Sequence, residues 1–288
     1  MQVVAVLSLK GGVGKTTVAL GLAGAALQHG VHSLIVDLDP QANATIALDP
    51  GPTTATVADV LDEPTRSMVR RAIAPSAWGD GLDVLVGAEQ TERHNHPDPS
   101  PKQLQRLSRA LHRLGDHDQP AITDTNPDGW PPEDEDPYRL VILDCPPSLG
   151  QLTRSALAAA QRAVLVTDPT MFAVSGVQRA FDAVQTERQR ANPDLQPLGV
   201  FVNRVRPRNS EHEFRIAELR ELFGPLVLTG VLPDRSAIQQ AQGACMPIQR
   251  WDTPGAREAS AVFTLLLGRV LRSTRRSSEA AQTPPATG

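Results

Sequence analysis

The residues with most chemistry to offer lie near the N-terminus, where an apolar run gives way to Lys10-Gly-Gly-Val-Gly-Lys-Thr-Thr17. Glycine lets the backbone approach a ligand closely, N–H groups at a helix start attract an anion, and lysine adds a full positive charge. Together they suit phosphate. The pattern Gly-x-x-x-x-Gly-Lys-Ser/Thr of phosphate-binding loops is met at Gly14, Lys15 and Thr16, but Leu9 fills its first glycine position. Lys15 would reach the β- and γ-phosphates, and the Thr16 hydroxyl would bind Mg²⁺. Lys10 is a surplus cation. On the motif alone it is either a solvated loop lysine or a second charge for phosphoryl oxygens.

Three carboxylates could serve the same ligand. Asp37 and Asp39 stand two apart in "LIVDLDPQANAT" at the carboxyl end of an apolar run. Residues two apart on a strand point the same way, and ligands of open α/β sheets bind outside the carboxyl ends of strands. A plain turn rich in Asp, Pro and Asn is the alternative. Asp144 ends the apolar run of "LVILDCPPSLG". An acid there, beside a phosphate loop, holds Mg²⁺ directly or through water; without such a loop it would be an ordinary strand-ending Asp. Pro146-Pro147 gives a stiff connection that could couple phosphate occupancy to helix position.

The elements that must position these groups follow from periodicity. Apolar runs predict strands at Val3–Leu7, Ser33–Asp37, Leu82–Val86, Leu140–Asp144, Ala163–Thr167, Leu198–Asn203 and Leu226–Leu232. Helical patterns fall near Lys15–Gln28, Ala55–Leu61, Lys102–Leu114, Leu149–Ala160, Val174–Arg190, Glu211–Phe223 and Gly255–Arg272. Alternating strands and helices predict an α/β fold, a mostly parallel twisted sheet flanked by helices on both faces. Residues 1–272 are expected to form a single domain. Gly115–Pro137, which contains no Lys or Arg, reads as a solvated acidic, Pro-rich insertion or a functional loop, and Ser273–Gly288 as a disordered tail.

Composition narrows the partners. A net charge of −4 gives no global field toward nucleic acid, so any such binding needs a local patch. The two cysteines, Cys145 and Cys245, the lack of a signal peptide, and the lack of a long apolar run predict a reduced, cytoplasmic protein with no transmembrane helix. Arg204, Arg206 and Arg208 follow the Leu198–Asn203 run, with Arg215, Arg220 and Arg235 beyond. They are either a phosphate-contacting patch or a solvated face paired with Glu211, Glu213, Glu218 and Glu221.

"KGGVGKTT" resembles, residue for residue, the deviant Walker A motif of the ParA/MinD family of P-loop ATPases; "DLDPQ" resembles that family's switch I and "DCPP" its switch II. The resemblance covers roughly Met1–Asp49 and Tyr138–Arg272. It implies ATP and Mg²⁺ as cofactors, with Lys10, Gly11, Gly12, Val13, Gly14, Lys15, Thr16 and Thr17 around the phosphates. Lys10 would reach the nucleotide of a partner subunit in an ATP-state homodimer. Asp39 would position the attacking water, while Asp37 would order the magnesium shell with Thr16 and Asp144. Asn203 would lie near adenine, and Pro233 would turn the closing base-side segment. That segment carries Asp234 and Gln240, where relatives often have basic residues and then an acid.

Within this family the first class is a slow, partner-stimulated partitioning ATPase. It binds DNA nonspecifically through Arg204, Arg206, Arg208 and Arg235, with Arg208 where relatives keep a DNA-contacting arginine. A centromere-binding or adaptor protein would release it, in plasmid or chromosome segregation on the nucleoid. The chain opens on its first strand, so no operator-reading helix-turn-helix is expected. Positioners of protein cargo and MinD-like division-site ATPases are the alternatives. Against the latter, "STRRSSEAAQTPPATG" offers no bulky apolar residues to a membrane. An iron–sulfur dimer like nitrogenase iron protein would need interface cysteines, for which Cys145 and Cys245 are poor candidates.

Overall fold

In β1 (Gln2–Leu7) the side chains alternate between two apolar clusters: Val3, Ala5 and Leu7 join one, Val4 and Val6 the other. The two-residue period of a strand sends neighbours to opposite faces. Because both faces are covered, the strand reads as one continuous apolar run. The computed structural model describes residues 1–114 and 138–282, with side chains to Ser273. The Gly115–Pro137 insertion and residues 283–288 lie outside the described residues.

After β1 come α1 (Lys15–Gln28), β2 (Ser33–Asp37), α2 (Asn43–Leu48), α3 (Val57–Asp62), α4 (Arg66–Ala72), β3 (Ile73–Pro75), β4 (Leu82–Leu85) and α5 (Pro101–His112). Beyond the insertion the chain forms β5 (Leu140–Asp144), α6 (Gln151–Ala159), β6 (Arg162–Thr167), α7 (Ala173–Arg190), β7 (Gln196–Val202), α8 (Ser210–Phe223), α9 (Ser236–Gly243) and α10 (Pro254–Gln282). The sheet order is β3-β4-β2-β5-β1-β6-β7, parallel except for the antiparallel edge strand β3. Residues of α3, α5, α6, α7 and α8 cover one face, and residues of α1, α2, α9 and α10 the other. The expected α/β architecture is therefore present.

Two sequence features shape the layers. α1 is buried continuously from Val18 to Ala26, because the sheet covers one side of it and α10 packs against another. Its small side chains permit that approach: a Cβ at Gly21 would sit 2.2 Å from Cζ of Phe263. α5 starts where Ser100 and Gln103 form a reciprocal capping box with Pro101 in the first turn.

The strand order decides where the site lies. The chain leaves β1, passes over β5's position to reach β2, and later returns to put β5 between them. The connection from β1 thus runs toward β2 and that from β5 toward β6, in opposite directions along the sheet, and the crevice at such a reversal is where open α/β sheets bind ligands.

Two expectations need correction. Leu226–Leu232 is not a strand. Pro225 lacks an N–H, and a 3₁₀ turn occupies Gly224–Leu226. The segment meets β7 through one isolated bridge, Val200 to Val227, and through the Leu228 and Leu232 N–H groups, which donate to the Val200 and Val202 carbonyls; a second bridge, Val205 to Pro233, lies just beyond both. α10 does not stop at Arg272 but runs to Gln282, so Ser273–Gln282 is helical rather than a disordered tail; the stretch has no Gly or Pro to end it. The short elements β3, α2, α4 and α9 carried no expectation, since each is too brief for periodicity to register.

Candidate functional site

The Lys10–Thr17 loop spans the gap from β1 to α1. Gly12 and Gly14 take left-handed backbone, φ 76° and 91°, which favours glycine over any residue with a Cβ. Gly14 has a second reason: a Cβ there would lie 2.2 Å from Nδ2 of Asn203. Nothing approaches within 4 Å of where a Cβ of Gly11 or Gly12 would stand, so the loop's inner side is open to a ligand. α1 has no side-chain N-cap and no acid in its first turn. Its first N–H groups remain available to an anion.

Lys15 is buried at the start of α1. Burial lowers its pKa, partly offset by the charges of Asp144 and Asp39. A buried cation facing an open, N–H-lined cradle suits phosphate oxygens, which would replace its lost water. Val13 is buried, and its carbonyl accepts a hydrogen bond from Asn203 Nδ2 at 2.6 Å. Asn203 therefore staples the end of β7 to the phosphate loop. Thr17 accepts from Gln242 of α9 at 3.2 Å. Pro233 is buried and bridges Val205, next to this staple.

The carboxylates meet because β2 and β5 are neighbours: Asp37 and Asp144 are directly paired in register. Asp37 is fully buried and accepts from the N–H and hydroxyl of Thr45, both at 2.8 Å, and from the Asp39 N–H at 3.3 Å. Burial nonetheless pushes its pKa up to about 6, with the Asp39 charge adding to the rise. Asp144 is also fully buried, with neither oxygen hydrogen-bonded. Burial first, then the Asp37 charge, hold its carboxyl well above the usual range; Thr16 and Lys15 oppose this. Asp39 is buried, with one oxygen accepting from the Gln41 N–H at 3.0 Å.

Two buried acids side by side, one of them without a hydrogen bond, fit a divalent cation. The Thr16 hydroxyl, Asp144 and Asp37 are the residues that would hold it, with the rest of the shell from phosphate and water, as Mg²⁺ prefers. No cluster of three or more His, Cys, Asp or Glu forms an all-protein metal cage among the described residues.

Lys10 goes elsewhere. Its ammonium lies 2.9 and 3.1 Å from the two oxygens of Asp168 and 3.0 Å from the Thr170 hydroxyl. Both follow β6, the strand beside β1. Within one chain this lysine is turned from the cradle of Gly11–Thr16 toward the neighbouring loop. Asp168, Thr170 and Thr45 escaped sequence reasoning. Asp168 had a usable signal, an acid just past the apolar run Ala163–Thr167, as at Asp37 and Asp144. Thr45 had none, because its role depends on α2 folding back over Asp37.

The arginines divide. Arg204, Arg206 and Arg208 are exposed together after β7, and Arg204 and Arg208 hold left-handed backbone, φ 57° and 58°. Arg206, however, pairs with Asp234 at 2.9 Å and Arg235 with Glu258 at 2.8 Å. Arg215 is held by Glu211 at 2.7 Å and Glu218 at 3.1 Å. The expected patch of free cations is thus reduced, since folding brings acids from α10 and from the turn before α9 onto it. Among the described residues no helix is long and apolar enough to cross a membrane.

Comparison with known proteins identifies the family. The chromosome partitioning protein ParA of Caulobacter vibrioides is 30% identical over 256 residues, covering 88% of each chain. The sporulation initiation inhibitor protein Soj of Bacillus subtilis is 27% identical over 267 residues, covering 92% of this chain and 96% of Soj. The fold is similar to cobyrinic acid a,c-diamide synthase from Mycobacterium smegmatis, solved with an ATP analogue and magnesium, with TM-score 0.72, 23% identity and 96% of each chain covered. Residues 4–248 match the CobQ/CobB/MinD/ParA nucleotide binding domain, and with its phosphate loop, paired carboxylates and sheet order the chain belongs to that family.

Proposed function

We propose that this chain is a Mg²⁺-dependent ATP hydrolase of the DNA-partitioning kind. ATP occupies the cradle of Gly11–Thr17, and two ATP-loaded chains pair. The pair binds DNA without reading sequence, and a centromere-binding or adaptor protein stimulates hydrolysis and so releases it. The work is plasmid or chromosome segregation in the cytoplasm, on the nucleoid.

The observation that carries this reading is the placement of Lys10. The cradle built around Lys15 is complete within one chain, yet a second lysine stands at its edge, held by Asp168 and Thr170 of the neighbouring loop rather than by the cradle. Such a cation serves phosphate presented from outside, and a second ATP-bearing copy presents it. In hydrolysis Lys15 offsets charge on the β- and γ-phosphates, and Asp39, anchored by the Gln41 N–H, orients the attacking water. Bound Mg²⁺ would neutralise phosphate charge beside Asp144 and Thr16. The partitioning role of the Caulobacter relative supports the DNA cargo.

The test is retention of nonspecific duplex DNA with ATP and with ADP, across a salt series. Retention only with ATP, falling steeply with salt through counterion release, is the expected result. Arg204→Ala with Arg208→Ala, the two of Arg204, Arg206, Arg208 and Arg235 that have no acidic partner among the described residues, should reduce the salt slope by about one for each phosphate no longer neutralised. A second reading has its own observation. Asp234 and Glu258 neutralise Arg206 and Arg235, which favours a protein cargo over DNA. An ATP-dependent dimer that retains no DNA at low salt would put that reading first.

A further inference from the structure

A cavity of about 650 Å³ opens where the end of α1 meets the start of α10. It lies at the far end of α1 from the phosphate loop. The 14 residues of that helix, at 1.5 Å each, put it about 20 Å from Lys15, so it is no part of the nucleotide cradle. Its size falls among small-molecule sites, roughly 300–1,000 Å³. Ile248, Trp251 and Leu265 form an apolar wall. Ile248 and Trp251 back onto the core on the α1 side of the sheet. Leu265 is 63% exposed and offers apolar surface that the core does not use.

The polar groups around this wall are unspent. Among the described residues the side chains of Gln28, Ser260 and Thr264 and the Trp251 indole N–H make no hydrogen bond. Gln249 is half spent: its Nε2 donates to the Gly21 carbonyl at 2.9 Å, while its Oε1 is buried and accepts from nothing. A buried acceptor without a donor costs free energy that a ligand's N–H or O–H would recover. Fixed charge is balanced. Arg257 is paired with Asp252. A smaller cavity of about 300 Å³, which shares Gln28 and Gln249, sets one acid, Asp80, against one base, Arg250. His29 is the remaining titratable group of the wall.

We propose that this cavity is a second ligand site, for a neutral, largely apolar small molecule with one N–H or O–H donor. Its ring or chain lies along Ile248, Trp251 and Leu265, and its donor completes Gln249 Oε1. A nucleotide or a nucleic acid needs a surplus of cations, which these walls lack. A wholly apolar ligand would leave Gln249 Oε1 unpaired and would strip water from the Ser260 and Thr264 hydroxyls without return.

The experiment uses the full chain and N-phenyl-1-naphthylamine, a neutral aromatic dye with a single N–H that brightens in apolar surroundings. Saturable binding of one dye per chain is expected, retained in excess Mg²⁺–ATP. Two analogues of the dye test the class of ligand. 8-Anilinonaphthalene-1-sulfonate adds a charge to the same skeleton and should bind at least about tenfold more weakly. 1-Benzylnaphthalene replaces the N–H by CH₂ and should compete about three- to tenfold more weakly, the worth of one hydrogen bond. Two variants test the place. Ala261→Trp, at an exposed position of the cavity wall, fills the hollow and should weaken dye binding at least about tenfold with Tm unchanged. Leu265→Ser removes part of the apolar wall and should weaken it about three- to tenfold. Binding that does not saturate, or that neither variant weakens, overturns the site. Dye that Mg²⁺–ATP displaces and Ala261→Trp retains sits in the cradle, which overturns it as well. Tighter binding of the sulfonate overturns the neutral class, and equal competition by 1-benzylnaphthalene overturns the part given to Gln249.

Discussion

Asp144→Asn should make the metal-free protein more stable and the nucleotide-bound protein less so. Asp37 and Asp144 are paired in register across β2 and β5, both fully buried, and around Asp144 only the nearby Thr16 hydroxyl and Lys15 offset the cost, neither in a well-formed hydrogen bond. Raising a carboxyl from 3.8 to about 6, as at Asp37, corresponds to about 3 kcal/mol at 1.36 kcal/mol per pH unit. The sign follows from proton binding. Between those pH values the folded state holds the proton and the unfolded state has lost it, so stability falls as pH rises from about 4 to about 6 and stays low above. Replacing Asp144 by its neutral isostere removes one buried charge and relieves the other. We expect a gain of about 2 kcal/mol at pH 8 in chelator, or ~4–8 °C in Tm at about 2–4 °C per kcal/mol for a domain of this size. At pH 4 the difference should shrink, because the pair is then largely protonated in the wild type. Adding Mg²⁺ and ADP should raise the wild-type Tm at pH 8 far more than the variant's, since the cation that offsets both charges has lost a ligand. The assay is thermal unfolding at pH 4, 5, 6 and 8, with and without Mg²⁺–ADP. A variant less stable than wild type at pH 8 in chelator would refute the reasoning: the carboxylate would then be held by favourable contacts rather than waiting for a cation.

Lys15→Ala removes the one buried cation of the cradle and should weaken Mg²⁺–ATP binding at least about 100-fold, given the strength of charge-assisted phosphate contacts; near-normal affinity in equilibrium titration would remove Lys15 from the site. Asp39→Ala should bind ATP normally but hydrolyse it at least about tenfold more slowly, leaving the ATP dimer accumulated in sizing experiments; unchanged turnover would deny it any part in positioning water. Gly14→Ala combines a φ of 91° with a Cβ 2.2 Å from Asn203 Nδ2, so it should cost more than about 1 kcal/mol in denaturant unfolding and also loosen nucleotide binding; Asn203→Ala in the same background should recover part of that stability by making room.

The phosphate loop and the carboxylates were legible because their signals are local. β1, α1, β2 and β5 each put a motif at one end of an apolar run, and the ranges Lys15–Gln28, Ser33–Asp37 and Leu140–Asp144 coincide with the observed elements. A buried strand, a glycine turn and a helix start are written in consecutive residues, so sequence alone determined the fold class and the glycine loop between β1 and α1, and it supplied the residues proposed for phosphate and Mg²⁺. Where pattern and chain geometry part, the reading failed. Leu226–Leu232 has strand composition, but Gly224-Pro225 forces a 3₁₀ turn at its entry, and one isolated bridge and two hydrogen bonds to β7 remain in place of a ladder.

Tertiary structure decided what depends on residues far apart in the chain. That Asp37 and Asp144 share one buried site follows from the strand order, as does the pairing of Lys10 with Asp168, 158 positions away. The same holds for the arginines. Arg206 and Arg235 look like free cations in the sequence, and only the packing of α10 and the turn before α9 brings Glu258 and Asp234 against them. Motifs fix which groups a chain owns; the strand order fixes which of them meet, because side-chain chemistry acts over a few ångströms and sequence distance says nothing about that range.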